Sequence, residues 1–264
     1  MNFSSKIVTF LKKMKNSSDH PRDSWLSFES RTHKYRITDP EGKLVSDNPD
    51  SVSKVAARCF EPFDADAAIA KIKDKPEYQG MSPRAIKKQW NKKGKEACIK
   101  GTRVHLSIEN TLISSGKGEY WNTIDEPLRT QFFRWWEDRK REGWEPYRLE
   151  WCVWDLEPKP IAGTIDAVFK TPKGFVVVDW KTCREIKKNG FGGKKAKSPL
   201  QEYEDCNFIK YALQLNLYRY ILENSYGLSI SDMQLVNLNE AQLGPKVYSV
   251  PRFTAKQINQ IINH

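Results

Sequence analysis

The sequence predicts an α/β fold in which a central mixed β-sheet is flanked by helices. Three observations support this. Helical periodicity dominates up to residue 142, three strand-like segments follow between residues 147 and 181, and an amphipathic helix covers about residues 207–226. A length of 264 residues suits one α/β domain with an addition, or two small domains. We therefore expect an N-terminal addition with a β-hairpin and helices over residues 1–80, followed by a core domain over residues 81–264.

The N-terminal segment has a basic start and a turn signal. Residues 1–18 carry four lysines and no acid, with apolar residues at helical spacing, which is typical of a basic helix or of an organelle-targeting peptide. Asp39–Gly42 contains Pro and Gly where a turn favours them, between strand-like residues 33–37 and 43–45. This pattern predicts a β-hairpin.

Capping signals predict the first helices. Asp50 or Ser51 is placed to cap a helix over residues 49–60, and Ser82 before Pro83 marks the start of the next one. That helix is expected to reach about Leu112, with interruptions at the glycines 94 and 101. Apolar residues at three- and four-residue spacing predict a further helix over residues 125–142.

The second half of the chain contains several segments that are predicted to be β-strands. Residues 147–154, 161–169 and 175–181 read as strands, and the turn Thr171–Gly174 predicts that the last two pair as a hairpin. Residues 187–198 contain five lysines and three glycines, which predicts a mobile basic loop. After the helix at 207–226, late strands are expected at 233–238 and 246–250, and Thr254 is placed to cap a last helix.

Composition excludes several classes of protein. The chain is 39% hydrophobic, so it is not disordered throughout, and no apolar run approaches the ~20 residues needed to cross a bilayer. Five scattered cysteines form no CxxC pair, which favours an intracellular, reducing compartment over a disulfide framework; the compartment itself (cytoplasm, viral host or mitochondrion) is left open. A net charge of +11 favours a polyanionic partner such as nucleic acid.

Charged residues at the end of a buried strand point to chemistry. Side chains alternate along a strand, so Asp179 and Lys181 should share one face while Trp180 takes the other. Asp166, on the preceding strand, comes close across the turn. Two adjacent carboxylates repel each other unless they share a divalent cation, and oxygen ligands suit Mg²⁺ or Mn²⁺. An exposed Asp–Lys ion pair is the plainer alternative.

These residues form a recognisable pattern. Gly163-Thr-Ile-Asp166, twelve residues, then Asp179-Trp-Lys181 resembles the core motif of the PD-(D/E)XK (restriction-endonuclease-like) nuclease superfamily. The segment from Gly101 through His105 to Glu109, and Gln214-Leu-Asn-Leu-Tyr218, resemble the helical His motif and the QxxxY motif of its RecB-like branch. That branch includes mitochondrial genome maintenance and viral or phage exonucleases. The resemblance covers roughly residues 95–225 and implies the PD-(D/E)XK fold with a helical N-terminal addition.

The resemblance also implies roles for individual residues. Metal ligands would be His105, Asp166, Asp179 and the backbone carbonyl of Trp180, with Glu150 as an additional candidate. Lys181 would orient or deprotonate the attacking water and offset phosphate charge. Helix spacing, apart from the resemblance, puts Glu109 one turn after His105 on the same face, where it could hydrogen-bond to His105 or to a metal-bound water, or form an ordinary helix salt bridge. Gln214 and Tyr218 would contact DNA or brace the active-site strands. The basic run after the motif, apart from the resemblance, is interpreted as phosphate contacts for DNA or else as a solvated face; it includes Lys187, Lys188, Lys194 and Lys195. A second basic run precedes His105, and the aromatic candidates for base stacking are Trp90, Trp121, Phe191 and Tyr203.

The predicted function is a Mg²⁺- or Mn²⁺-dependent deoxyribonuclease, an exonuclease acting on single strands or processed ends in DNA repair, replication or recombination. A structure-specific or RNA-directed endonuclease is one alternative, and a catalytically silent DNA-binding module is another. No cysteine follows Cys206, so the iron–sulfur cluster of some RecB-like nucleases is not expected. Walker motifs are absent, so a partner helicase would be a separate chain; DNA is the expected partner, and a membrane is not.

Overall fold

The computed structural model describes residues 19–29, 32, 34–114 and 125–264. The basic segment 1–18 and the stacking candidate Trp121 lie outside these ranges. Among the described helices, none is both long and apolar enough to cross a membrane.

A small antiparallel sheet lies near the N-terminus. Its strands are β1 (Leu26–Glu29), β2 (Lys34–Thr38) and β3 (Leu44–Asp47), arranged in that order. The predicted hairpin is confirmed as β2–β3, and the amide of Gly42 donates to the carbonyl of Asp39 at 3.0 Å. A short 3₁₀ segment, Pro21–Trp25, precedes β1.

The main sheet is mixed, as predicted. Its strands are β4 (Asp50–Ser51), β5 (Glu145–Asp155), β6 (Ile161–Thr171), β7 (Gly174–Lys181), β8 (Ile230–Asn237) and β9 (Lys246–Ser249). The pairs β5–β6, β6–β7 and β8–β9 are antiparallel, whereas β4–β6 and β7–β8 are parallel. The crossover from β7 to the parallel β8 passes through a long helix, as parallel neighbours require.

Strand β6 is paired along nearly the whole of one edge but only along parts of the other. One edge pairs with β5 along nearly its whole length. The other edge pairs with β4 at residues 161–162 and with β7 at residues 167–171, so residues 163–166 have no ladder partner there. Beyond Val178, β7 therefore diverges from β6 while it stays paired to β8. This divergence opens the sheet at the predicted motif.

Six helices surround the sheet in the part of the chain that the structure describes. They are α1 (Val52–Arg58), α2 (Ala65–Ile72), α3 (Pro83–Ile113), α4 (Leu128–Arg141), α5 (Asn207–Ser225) and α6 (Ala255–Asn263). Ser51, Ser82 and Thr254 cap their helices as predicted. Helix α3 continues without interruption through both of its glycines, and α2 was not predicted.

Each face of the main sheet has its own apolar core. On one face, α1, α5 and α6 pack against the sheet through residues such as Val52, Leu213 and Ile258. On the other face, α3 and α4 cover Trp180, whose ring meets that of Trp135 edge-on at a centroid distance of 4.8 Å. Such aromatic pairs contribute about 0.5–1.5 kcal/mol beyond area burial. Strand β7 is therefore clamped from both sides.

The loop at residues 187–198 is more tightly held than its composition predicts. The amide of Gly190 donates to Glu204 Oε2 at 2.6 Å, and that of Ala196 donates to the carbonyl of Tyr203 at 3.0 Å. The amide of Lys197 reaches the carbonyl of Cys59 at 2.7 Å. These hydrogen bonds replace the free loop that a glycine- and lysine-rich composition suggested.

The N-terminal elements are not all separate from the core. Strand β4 pairs with β6, and α1 buries Val52, Val55 and Ala56 in the core of the main sheet, although both precede residue 80. The boundary at residue 80 remains a prediction.

Gly163 provides a test of packing at the opening of the sheet. A Cβ on this residue would lie 2.8 Å from Cε1 of the buried Tyr218 and 3.0 Å from Val52 Cγ2. We expect Gly163→Ala to lower the free energy of unfolding by about 1–3 kcal/mol, as overpacking does. Gly94→Ala, in an exposed helical position with nothing within 4 Å of the added methyl, should raise it by about 0.5–1 kcal/mol. Urea unfolding measures both, and equal effects of the two substitutions would contradict the close approach of Tyr218.

Candidate active site

The opening between β6 and β7 is bridged by a side chain. Where the two strands part, the amide of Trp180 donates a hydrogen bond to Asp166 Oδ2 at 2.8 Å. The carboxylate thus replaces a ladder partner that β6 no longer supplies. Asp166 is thereby fixed at the mouth of the opening.

Asp179 and Lys181 lie on the face opposite Trp180, as the strand alternation predicted. Lys181 Nζ lies 2.5 Å from Asp179 Oδ2 and 4.5 Å from the ring centre of Tyr211 on α5. Both side chains of the ion pair are largely buried, which excludes the plainer alternative of an exposed surface pair. The ammonium is therefore held between a carboxylate and an aromatic face.

Helix α3 brings His105 to the same opening. Its Nε2 donates to the carbonyl oxygen of Trp180 at 3.0 Å, because a carbonyl can only accept. Its Nδ1 then faces the carboxylates, 3.5 Å from Asp166 Oδ2 and 4.0 Å from Glu150 Oε1. The backbone contact orients the ring so that Nδ1 points at the acidic cluster.

Glu150 reaches the site through an unusual backbone conformation. The register of β5 with β6 places it opposite Asp166, between the pairs Leu149–Ala167 and Trp151–Ile165. Its φ is +43°, in the left-handed region that residues other than glycine rarely adopt. Strain of this kind persists where the surrounding structure imposes it, often at functional sites.

The carboxylates of the site repel one another. Burial, together with the charges of Asp166, Glu109 and Asp179, raises the pKa of Glu150 to about 9. Burial also raises the pKa of Glu109, which lies one turn after His105 on α3, and that of Asp179. Ionising all of these carboxyl groups together is therefore unfavourable unless a cation balances their charge.

Burial alone would lower the pKa of Lys181, but the charges of Asp179 and Asp166 outweigh it and raise that pKa. Lys181 is therefore a cation at neutral pH. A charged ammonium suits positioning of a phosphate or a water better than proton abstraction.

The arrangement fits a divalent cation. One ligand atom from each of His105, Glu150 and Asp166 lies within 4.8 Å of the others, and these residues are the group that the described chain offers for a metal. Mn²⁺ binds both imidazole nitrogens and carboxylate oxygens, and Mg²⁺ favours carboxylate oxygens. A cation between them would also offset the repulsion that raises the pKa of Glu150.

Two predicted ligands lie in different surroundings from these three. Asp179 is paired with Lys181, and the carbonyl of Trp180 accepts the hydrogen bond from His105. Their roles as metal ligands stay predictions.

The QxxxY residues lie behind the site on α5. Gln214 Nε2 donates to the hydroxyl of Tyr218 at 3.3 Å, and Tyr218 is buried against Gly163. Of the two roles considered for Tyr218, this burial favours bracing of β6 over contact with DNA. Tyr211, which holds Lys181, was not predicted; its place one turn before Gln214 was the signal available.

The four predicted basic residues after the site differ in their surroundings. Lys195 pairs with Glu204 at 3.2 Å, and Lys188 Nζ lies 5.2 Å from the ring centre of Phe208. The side chains of Lys187 and Lys194 are exposed. Their contact with nucleic acid stays a prediction.

Comparison with known proteins adds a family relationship. The family model of the PD-(D/E)XK nuclease superfamily matches residues 71–264, a range that includes every residue of the site described above. No curated protein matches the sequence. The crystal structure of SSO0001 shares 15% sequence identity over 81% of this chain and 72% of that one, with a TM-score of 0.37, which is too low to establish a common fold.

Metal binding can be measured without any activity. We expect Mn²⁺ or Mg²⁺ to raise the Tm of the protein, because a cation at a hundred times its Kd stabilises the folded state by about 2.7 kcal/mol. Asp166→Asn should abolish this rise while its amide oxygen still accepts the bond from Trp180. Asp47→Asn, in a surface pair with Arg36, is the matched control. A full metal-induced rise in the Asp166 variant would exclude Asp166 as a ligand.

The raised pKa of Glu150 predicts a pH dependence in EDTA. Between pH of about 4.5 and about 9, the folded state retains a proton on Glu150 that the unfolded state has released. Stability therefore falls as pH rises through this window. Glu150→Gln should flatten this dependence and raise Tm at pH 8, where each kcal/mol appears as about 2–4 °C. If the variant melts below the wild type at pH 8 and keeps the same slope, the carboxylate is not crowded as the structure shows.

Proposed function

The chain belongs to the PD-(D/E)XK nuclease superfamily, and from this membership we propose that it hydrolyses phosphodiester bonds in DNA as an exonuclease on single strands. Membership implies a metal-dependent nuclease in general. The observation that carries the proposal is the meeting of His105, Glu150 and Asp166 at one opening of the sheet, beside the buried pair of Asp179 and Lys181.

Each residue has a part that follows from its surroundings. A bound Mg²⁺ or Mn²⁺ would supply positive charge opposite the phosphate and make a coordinated water easier to ionise. The Lys181 ammonium, which contacts Asp179 and the ring of Tyr211, would donate a hydrogen bond to a phosphate oxygen or to the attacking water. Positioning and charge stabilisation of this kind supply most of the catalysis of phosphoryl transfer.

Asp166 and His105 fix the geometry of the opening. Asp166 accepts from the Trp180 amide, and His105 donates to the Trp180 carbonyl, so both sides of one residue's backbone are held. The side chain of Trp180 is locked in the core behind them. Strand β7 thus presents Lys181 at a defined distance from the carboxylates, which a site requires to within about half an ångström.

The single-strand preference and the exonuclease mode are the finer parts of the proposal. The net charge of +11 and the basic loop after Lys181 support a nucleic-acid substrate. DNA repair, replication or recombination is the setting in which such an activity would serve. An endonuclease, or an enzyme acting on RNA, would use the same site, so the substrate must be tested directly.

End-labelled linear single-stranded DNA and circular single-stranded DNA, each in Mg²⁺, Mn²⁺ and EDTA, test the proposal. We expect metal-dependent loss of the linear form alone, with Lys181→Met at least about 10²-fold slower because the phosphate loses its positioned cation. Lys173→Met, an exposed lysine at the turn before β7, is the matched control and should retain the wild-type rate.

Cleavage of the circle would make the protein an endonuclease, since an exonuclease needs an end. Digestion of RNA in preference to DNA would change the substrate. If no nucleic acid is cleaved, but metal still raises the Tm of the wild type and not that of Asp166→Asn, the protein keeps the fold and the metal site without the activity.

A further inference from the structure

Two phenylalanines of the described chain, Phe63 and Phe191, are strongly exposed. Phe63 is 74% exposed and Phe191 is 71% exposed, which is uncommon for rings of this size unless they meet a partner. Phe63 directly precedes the N-cap of α2, and Phe191 lies beneath Lys71 near the other end of that helix, with 5.1 Å from Nζ to the ring centre. The eight residues of α2 rise about 12 Å along the helix axis between these two ends.

A third ring, that of Trp90, lies beside Phe63. The ring of Trp90 on α3 lies 5.9 Å from that of Phe63, and its Nε1 donates to the hydroxyl of Tyr78 at 3.2 Å. This hydrogen bond holds the indole in one orientation. We call Phe63, Trp90 and Phe191 the aromatic surface.

The loop that carries Phe191 is built to present it. Gly190 has its amide bonded to Glu204, and a Cβ there would clash with the carbonyl oxygen of Lys194. Gly192 and Gly193 both have positive φ, of 66° and 70°, which turns the chain back directly after the ring. Phe191 is thus held outward by a defined turn.

The acids nearest the aromatic surface already have partners. Asp64 accepts from two amides at the start of α2, Asp66 pairs with Lys87 at 2.7 Å, and Glu61 pairs with Lys197 at 3.2 Å. The Glu61–Lys197 pair also joins the segment of Phe63 to the loop of Phe191. The carboxylates that flank Phe63 in the sequence, Glu61 and Asp64, are thus already engaged within the protein.

A basic, unpacked stretch of α3 connects the aromatic surface to the candidate active site. Residues 91–99 are exposed on every side of the helix and include Lys92, Lys93 and Lys95. The lysines of this stretch outnumber its one acid, Glu96, which lies 4.0 Å from Lys92, and phosphate contacts would account for the exposure of these lysines. The fifteen residues from Trp90 to His105 span about 22 Å, which a few nucleotides of an extended strand can cover.

We propose that the aromatic surface stacks the unpaired bases of a single DNA strand whose phosphates lie along Lys92, Lys93 and Lys95 toward His105. This inference rests on the proposed function and adds to it the place where an unpaired strand is held before hydrolysis. Every base offers a π-face, so the surface holds strands without regard to sequence and does not bind duplex DNA in the same way.

Fluorescence anisotropy in EDTA tests the stacking without any cleavage. The probes are a labelled thymidine homopolymer of about 20 nucleotides, an abasic sugar-phosphate strand of the same length, and the corresponding duplex. We expect the full chain to bind the homopolymer about 10-fold tighter than the abasic strand, and Phe63→Ala/Phe191→Ala to lose most of this difference. Leu44→Ala/Val45→Ala, which removes two exposed apolar side chains from β3, is the matched control.

The lysines have a separate signature. Replacing Lys92, Lys93 and Lys95 by Ala should weaken binding to the homopolymer and the abasic strand alike. It should also reduce the slope of log Kd against log salt by about two, since each single-strand phosphate contact contributes about 0.7. The phenylalanine variant should keep the wild-type slope.

Equal loss of the homopolymer and the abasic strand in the phenylalanine variant, or no loss at all, would overturn the inference. So would tighter binding of the duplex than of the single strand. Hydrolysis of bis(p-nitrophenyl) phosphate in Mn²⁺, a substrate too small to reach the aromatic surface, should be unchanged in that variant. If the wild type fails to hydrolyse any substrate, the proposed function fails, while the anisotropy in EDTA still decides where the strand binds.

Discussion

The active site depends on one place where a β-ladder is left open. Along one edge, β6 pairs with β4 at its start and with β7 at its end, and the four residues between have no ladder partner on that edge. The unpaired amide of Trp180 would be costly to bury, and the Asp166 carboxylate satisfies it. The same bond that closes the gap thus fixes a carboxylate at the mouth of the site. His105 completes the arrangement by holding the carbonyl of the same residue.

The packing on both faces of the sheet explains how this opening stays rigid. Behind β7, Trp180 is locked by Trp135 and Phe132, while in front α5 presses Tyr218 onto Gly163 and Tyr211 onto Lys181. Burial, together with the repulsion of the neighbouring carboxylates, raises the pKa of Glu150 to about 9. That repulsion is sustained by the apolar cores on either side, and it favours a cation wherever one is available.

Much of this arrangement follows from local patterns. The alternation of Val178, Asp179, Trp180 and Lys181 fixes which side chains share a face, and the caps at Ser51, Ser82 and Thr254 are short-range signals. Strand β4 is two residues long and has no periodicity to read. The left-handed backbone of Glu150 is imposed by the sheet on a residue that is not glycine. The meeting of Phe63 with Trp90, and the tether of the basic loop to Glu204, join distant segments that composition does not relate.

Helix α3 has a consequence for how this protein tolerates insertions. Its middle, residues 91–99, is exposed, so substitutions there are expected to change the free energy of unfolding little, whatever they do to binding. Its length is another matter, because each added residue turns one end of a helix by about 100° relative to the other. One extra residue would swing Trp90 away from Tyr78 or His105 away from Trp180, whereas four would nearly restore the phase. The number of residues between Trp90 and His105 is therefore more tightly constrained by the fold than the side chains that these residues carry.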